Sequence, residues 1–133
     1  MNIGEAAKKS GLTAKMIRHY EEIGLIAPAH RSQSGYRVYS GDDLATLRFV
    51  RRSRALGFST DDIRILLGLW QDHSRTSKEV KKLALSHIQA LKEKMASLQA
   101  MVDTLNQLVT HCHGDDRPDC PILEDLAGSH NCR

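Results

Sequence analysis

Over residues 76–110 the chain reads TSKEVKKLALSHIQALKEKMASLQAMVDTLNQLVT, without one proline or glycine. Thr76-Ser77-Lys78-Glu79 fits a capping box at its start. Within the run, Ala84, Ile88, Leu91, Met95, Leu98, Val102, Leu105 and Val109 follow one another at alternating steps of four and three, which is the spacing of a coiled-coil seam. At ~1.5 Å per residue this is a helix of roughly 50 Å. Such a helix cannot bury its stripe against the small segment before it, so a second copy of the chain is the expected cover and a homodimer the expected state. The 133 residues leave room for one compact domain carrying this extension, not for two full cores.

Before the long run, NIGEAAKKSGLTAKMIRHYEEIGLI places Ile3, Ala6, Ala7, Met16, Ile17, Tyr20 and Ile23 at helical spacing, interrupted by Ser10-Gly11-Leu12-Thr13. Gly11 suits the left-handed end of one helix and Thr13 the N-cap of the next. Ala7, Gly11 and Ile17 also stand at the mutual spacing of a helix-turn-helix, with Lys15, Arg18 and His19 left on the outer face of the second helix. After Pro28, Ser34-Gly35 marks a turn, and Tyr36, Arg37, Val38 and Tyr39 alternate as in a short hairpin. That hairpin reads as a wing, with Arg31, Tyr36 and Arg37 able to bond phosphates and fix register without reading sequence. A further helix is expected from about Asp42 to Leu56. Its inward side carries Leu44, Leu47, Val50 and Phe49, while Arg48, Arg51, Arg52 and Arg54 face mostly outward. Ser59-Thr60-Asp61-Asp62 then caps a helix to about Trp70.

Charge agrees with a nucleic-acid surface in the first half. Residues 1–60 hold ten Lys and Arg against five Asp and Glu, whereas residues 61–133 hold nine against eleven, within a net charge of +3. No apolar stretch approaches the ~20 residues of a membrane helix, so no membrane partner is expected. MNIGEAAKKS lacks the apolar centre of a signal peptide, and cytoplasmic residence is the expectation. No phosphate-cradling glycine loop, catalytic carboxylate pair or nucleophile-base signature is present, and the chain does not read as an enzyme.

HCHGDDRPDC, residues 111–120, poses a separate problem. Cys112 falls just past the long helix, and an irregular excursion through Gly114, Asp115, Asp116, Pro118 and Asp119 returns the chain to Cys120. Pro121 suits the first position of a short helix to about Leu126, with Cys120 as N-cap. Free amide hydrogens and the positive helix end there favour thiolate over thiol. Soft thiolates select soft ions, Cu(I) foremost, and two of them grip such an ion linearly, a geometry that four-coordinate Zn(II) does not readily accept. A redox pair of Cys112 and Cys120 stays open at this stage, as does a zinc site completed by His111, His113, His130 or Cys132. A metal-buffering protein, which would need the thiols but no palindrome, also stays open. His111 and His113 are ordinarily solvated, Cys132 lies near a terminus, and Met95 and Met101 fit core better than copper ligation.

IGEAAKKSGLTAKMIRHYEEIGLI, SGYRVYS and RALGFS, followed by the long helix and the cysteine loop, together resemble the MerR family of transcriptional regulators over essentially the whole chain. HCHGDDRPDCPILEDL is similar to the copper-efflux (CueR-type) branch. The resemblance implies a mainly α fold: a winged helix-turn-helix domain (1–75), an antiparallel coiled-coil dimerisation helix (76–110), and a metal-binding loop with short helix and tail (111–133). It implies DNA contacts at Lys15, Arg18, Tyr20, Arg31, Tyr36 and Arg37, with Arg54 on a second wing. The divalent-ion sensors of the family place a cysteine near the start of the partner's dimer helix, where this chain has Ser77, so Ser77 is expected to bear on metal selectivity. Cu(I), or Ag(I) or Au(I), is then the implied effector at Cys112 and Cys120. The implied partners are a palindromic promoter duplex, a second chain and RNA polymerase, with activation by distortion of the DNA and metal-export genes as targets. A multidrug-type regulator would carry an added C-terminal ligand domain, for which this chain has no room.

Overall fold

The computed structural model describes residues 1–112 and 120–128. Among these, six helices and one two-stranded sheet follow in the order α1 (Ile3–Ser10), α2 (Ala14–Glu22), β1 (His30–Arg31), β2 (Arg37–Val38), α3 (Gly41–Ala55), α4 (Thr60–Gln71), α5 (Ser77–His111) and α6 (Pro121–Ala127). A first compact unit, Met1–Lys82, holds α1 to α4 and the hairpin; a second begins at Leu83, within α5. No helix of the described residues is long and apolar enough to cross a membrane.

The helix starts follow side-chain chemistry. Asn2 accepts from the Glu5 amide, Thr13 from Met16, and Ser59 from Asp62. Ser40 and Asp43 complete a reciprocal capping box at the head of α3. These side chains satisfy amide hydrogens that the first turn of a helix leaves without partners. The link after α4 is held by Asp72, whose carboxylate accepts both the amide and the hydroxyl of Ser74 at 2.9 and 2.6 Å; these bonds lower its pKa from the ordinary carboxylate value.

α1 ends on Gly11 at φ 78°, and its amide donates to the Ala7 carbonyl. A Cβ at Gly11 would lie 2.5 Å from Nε of Arg51, so the position demands both left-handed backbone and open space. Gly11→Ala is expected to destabilise the fold by about 1–2 kcal/mol, lowering the melting temperature by ~4–8 °C per kcal/mol in a domain of this size. An unchanged melting curve would contradict this account of the turn.

Ile17, Leu47, Val50 and Ile63 are the largest fully buried side chains, one or two from each of α2, α3 and α4, and Ala6 of α1 closes the same cluster. The fully buried small residue of α1 is thus Ala6, with Ala7 half-buried. Leu44, Leu47 and Val50 point inward as their spacing indicates. Phe49 is half-buried and stacks on Trp70, ring centroids 4.6 Å apart. Arg48 and Arg51 are exposed yet also brace the turn: Arg48 donates to the Lys9 carbonyl at 3.4 Å, and Arg51 lies over Gly11.

Tyr20, assigned to DNA by the family resemblance, is 3% exposed and belongs to the core cluster. It stands three residues after Ile17, which is also buried, so both fall on the inner face of α2 while Lys15, Arg18 and His19 fall on the outer. Its hydroxyl is buried with no hydrogen-bond partner among the described residues.

α5 spans 35 residues and has no buried residue. The seam residues Ile88, Leu91, Met95, Leu98, Val102, Leu105 and Val109 are all exposed in the single chain. α6 begins with Pro121 at its first turn, has Cys120 at its N-cap and closes on Gly128 at φ 74°.

Candidate functional site

α2 borders two hollows in the first unit, one shared with the hairpin and one with α3 and α4. One, of about 400 Å³, is lined by Arg18 of α2, Arg31 of β1, Arg37 of β2 and Gly35 and Tyr36 of the connecting turn, together with Asn2 and Ile3. The other, of about 280 Å³, gathers Lys15, His19, Arg54 and Thr60 around Met16 and Tyr20. Six of the seven side chains expected at DNA therefore converge on two neighbouring concavities, and the seventh, Tyr20, forms the floor of one rather than a free contact.

The hairpin geometry explains that convergence. His30 pairs with Val38 and Arg31 with Arg37 in antiparallel register, and the turn closes through Gly35 N–H to the Ser32 carbonyl and Ser32 N–H to the Tyr36 carbonyl. Gly35 takes φ 85° there. Arg31 donates back to the Gly35 carbonyl at 2.9 Å, which fixes its stem along the turn. Tyr36 is 75% exposed, an apolar ring with a free hydroxyl at the tip of the wing. Four donors of this kind suit a chain of phosphates, because Arg and Tyr donors bond anionic oxygens directly and charge strengthens each bond.

The wing is tied to α2 by a residue that the sequence pattern does not single out. Glu21 accepts the Tyr39 hydroxyl at 2.5 Å and pairs with Arg37 at 3.7 Å. Tyr39 is itself buried, and its backbone exchanges two hydrogen bonds with Met1: the Met1 ammonium donates to the Tyr39 carbonyl at 2.8 Å, and the Tyr39 amide donates to the Met1 carbonyl at 2.7 Å. Burial, then the bond to Glu21 and its charge, push the Tyr39 phenol up to about 12, against a smaller opposing effect of Arg37. A raised phenol pKa means that the neutral, donating form is favoured by folding. The resulting stabilisation is complete below pH ~10 and is lost as pH rises through about 12. Ultraviolet titration near 295 nm is expected to show a tyrosine ionising near pH 12 that Tyr39→Phe removes; a titration without that late step would refute the arrangement.

The thiols belong to the second unit. Cys112 follows the last residue of α5, its amide donating to the Val109 carbonyl at 3.0 Å, and Cys120 precedes α6. Both are free and half-buried. The Cys120 side chain makes no capping hydrogen bond, so its sulfur is not committed to the helix end. His111 directs Nδ1 at the Gln107 carbonyl, 2.7 Å away. Among the described residues no group of three or more His, Cys, Asp and Glu gathers as a metal site. Cys112 and Cys120 are thus the soft donors on the described residues of this unit. Ser77 is exposed at the start of α5. His113, Asp115, Asp116, Pro118, Asp119, His130 and Cys132 lie outside the described residues.

A helix-turn-helix with a basic wing, followed by a long helix whose apolar seam is exposed in the single chain, is the architecture of a DNA-binding regulator. Residues 1–69 match the pattern described as MerR HTH family regulatory protein, and residues 44–108 match that described as MerR, DNA binding. The chain belongs to the MerR family, a family of transcription regulators and not of enzymes. It is 60% identical over 127 residues to heavy metal-dependent transcription regulator 2 of Rhizobium meliloti, covering 96% of this chain and 86% of that protein. It is 43% identical over 128 residues to the HTH-type transcriptional regulator CueR of Salmonella typhimurium, covering 96% and 93%. Among solved structures, PbrR691 of Ralstonia metallidurans in complex with lead(II) superposes with a TM-score of 0.81 at 35% identity, covering 95% of this chain and 98% of that one.

Proposed function

We propose that this protein is a metal-responsive transcription regulator that occupies a palindromic promoter element as a homodimer and activates when Cu(I), or Ag(I) or Au(I), is bound by Cys112 and Cys120. The observation that carries the proposal is the presence, in one chain, of two free, half-buried cysteines, one just past the long helix and one at the head of α6, together with a basic surface of two hollows on the winged domain. Residues 1–75 read DNA, 76–110 pair two chains, and 111–133 sense the metal. Relatives named heavy metal-dependent regulator and CueR support the class of effector.

Lys15, Arg18, Arg31, Tyr36, Arg37 and Arg54 hold the duplex. Two such heads on one dimer meet two half-sites, so the symmetry of the protein is matched by that of the operator. Cys112, just past α5, and Cys120, at the head of α6, hold one ion, so the ion ties the end of α5 to the head of α6. Metal and distorted DNA then favour the same protein state, with a coupling of the ordinary size, ~1–3 kcal/mol. RNA polymerase reads that distortion at the promoter, in the cytoplasm, and genes for metal export are the expected output.

A divalent thiophilic ion is the second reading, favoured by the likeness to a lead(II) complex. Ser77 bears on it, because a hydroxyl is a poor ligand for soft ions and leaves only the two thiols to hold them. The test is titration of the operator-bound dimer with buffered Cu(I), Ag(I), Pb(II) and Zn(II). Saturation at the lowest free concentration by the monovalent ions, at one ion per chain, is expected; tighter and activating binding of Pb(II) or Zn(II) would replace this assignment with the divalent one.

A further inference from the structure

Glu21 is a carboxylate placed where a DNA-binding surface least tolerates one. It stands near the end of α2, next to the hollow lined by Arg18, Arg31, Tyr36 and Arg37, and repels phosphate by its charge. Its side chain is nevertheless only 7% exposed, and a charge taken that far from water is maintained when it is paired and hydrogen-bonded. Both of its oxygens are engaged: Oε1 accepts the Tyr39 hydroxyl at 2.5 Å, and Oε2 faces Nη2 of Arg37 at 3.7 Å. One partner lies on β2 and the other follows it directly, so a single carboxylate of α2 grips the end of the wing twice.

We propose that Glu21 is a positioning residue for operator recognition, holding the Arg37 guanidinium of the wing in register with the contacts of α2. The inference rests on the reading of Arg37 as a DNA contact. Without the carboxylate, Arg37 keeps its charge but loses its fixed direction. The long Arg37 side chain then has to be ordered on the duplex at the moment of binding, which weakens the operator complex more than unspecific association.

Charge and positioning make opposite forecasts for Glu21→Gln, which preserves shape and removes one negative charge. Charge alone strengthens binding to every duplex. Positioning weakens operator binding roughly tenfold while leaving binding to unrelated duplex equal or tighter. The decisive experiment is a double-mutant cycle on the full dimer, with operator and unrelated duplex affinities measured for wild type, Glu21→Gln, Arg37→Ala and the double variant. The expected outcome is that Arg37→Ala weakens operator binding and that Glu21→Gln then has no further effect in the Arg37→Ala background. If Glu21→Gln costs the same in both backgrounds, or tightens operator binding, the positioning role is overturned. If Arg37→Ala leaves operator affinity unchanged, the reading of Arg37 itself fails, a distinct result. Tyr39→Phe, which keeps the carboxylate and the packing, supplies the same cycle should Glu21→Gln not fold; it is expected to weaken operator binding severalfold in the wild-type background alone.

Discussion

Replacing either sulfur by oxygen is expected to abolish the metal response while leaving the protein on its operator. Cys112→Ser and Cys120→Ser keep size and remove the soft donor, and a serine hydroxyl is no substitute for a thiolate towards Cu(I). Both positions belong to the second unit, whereas every DNA-contact candidate belongs to the first. Operator affinity without metal should therefore stay within about twofold of wild type. Induction should collapse, because a coupling of ~1–3 kcal/mol corresponds to roughly 5- to 150-fold and neither variant can draw on it. Gel shift and reporter expression, measured side by side, separate the two effects. Variants that still respond to copper would place the sensing site elsewhere; variants that lose DNA binding as well would show that the thiols serve the fold.

A charge in the apolar seam of α5 should be as damaging by a different route. Leu98 is 55% exposed in the single chain, in the central stretch of the stripe that begins at Ala84 and ends at Val109. Pairing of two chains buries it, and Leu98→Asp then places one unpaired carboxylate per chain in the interface, at a cost of several kcal/mol each. The dimer is expected to dissociate at micromolar concentration in sedimentation experiments. Operator affinity should fall by about 10²- to 10⁴-fold, since each monomer grips one half-site without the effective concentration that linkage provides. The helical content of the first unit should survive, because its core is built from α1 to α4. A Leu98→Asp protein that stays dimeric and binds tightly would contradict the seam.

The helices were legible in the sequence because their ends are chemical. Thr13 and Ser59 cap as their residue types suggest, Gly11 adopts the left-handed backbone expected after a helix, and α5 begins and ends within a residue of the proline- and glycine-free run, while the Ser40 cap of α3 and the Gly128 end of α6 emerge only in the fold. The converging basic residues were legible too, as members of an outer helix face and an alternating hairpin. Tyr20 was legible in one respect: the 3.6-residue period of α2 puts it on the same face as Ile17, where it is buried, whereas the role at DNA came from the family likeness alone. Glu21 was invisible for another reason: in the sequence it is an ordinary carboxylate near a helix end, and only the fold brings Tyr39 and Arg37 to it across the hairpin. The arginines of α3 show the same limit, since Arg48 and Arg51 are exposed by periodicity yet brace the Lys9 carbonyl and Gly11 of another helix. For the thiols, spacing and the following proline located Cys120 at the head of α6, while the identity of the ion depends on donors and geometry that spacing alone does not express.

If two sulfurs capture a soft monovalent ion and the promoter responds, transcription in vitro from the cognate palindromic promoter, with purified dimer and RNA polymerase titrated with buffered Cu(I), must show it. Transcript should rise severalfold to a plateau as one ion per chain is taken up, with the dimer bound to the promoter throughout. Transcript that stays flat as the sites fill, or that rises only when the protein leaves the DNA, would contradict the account.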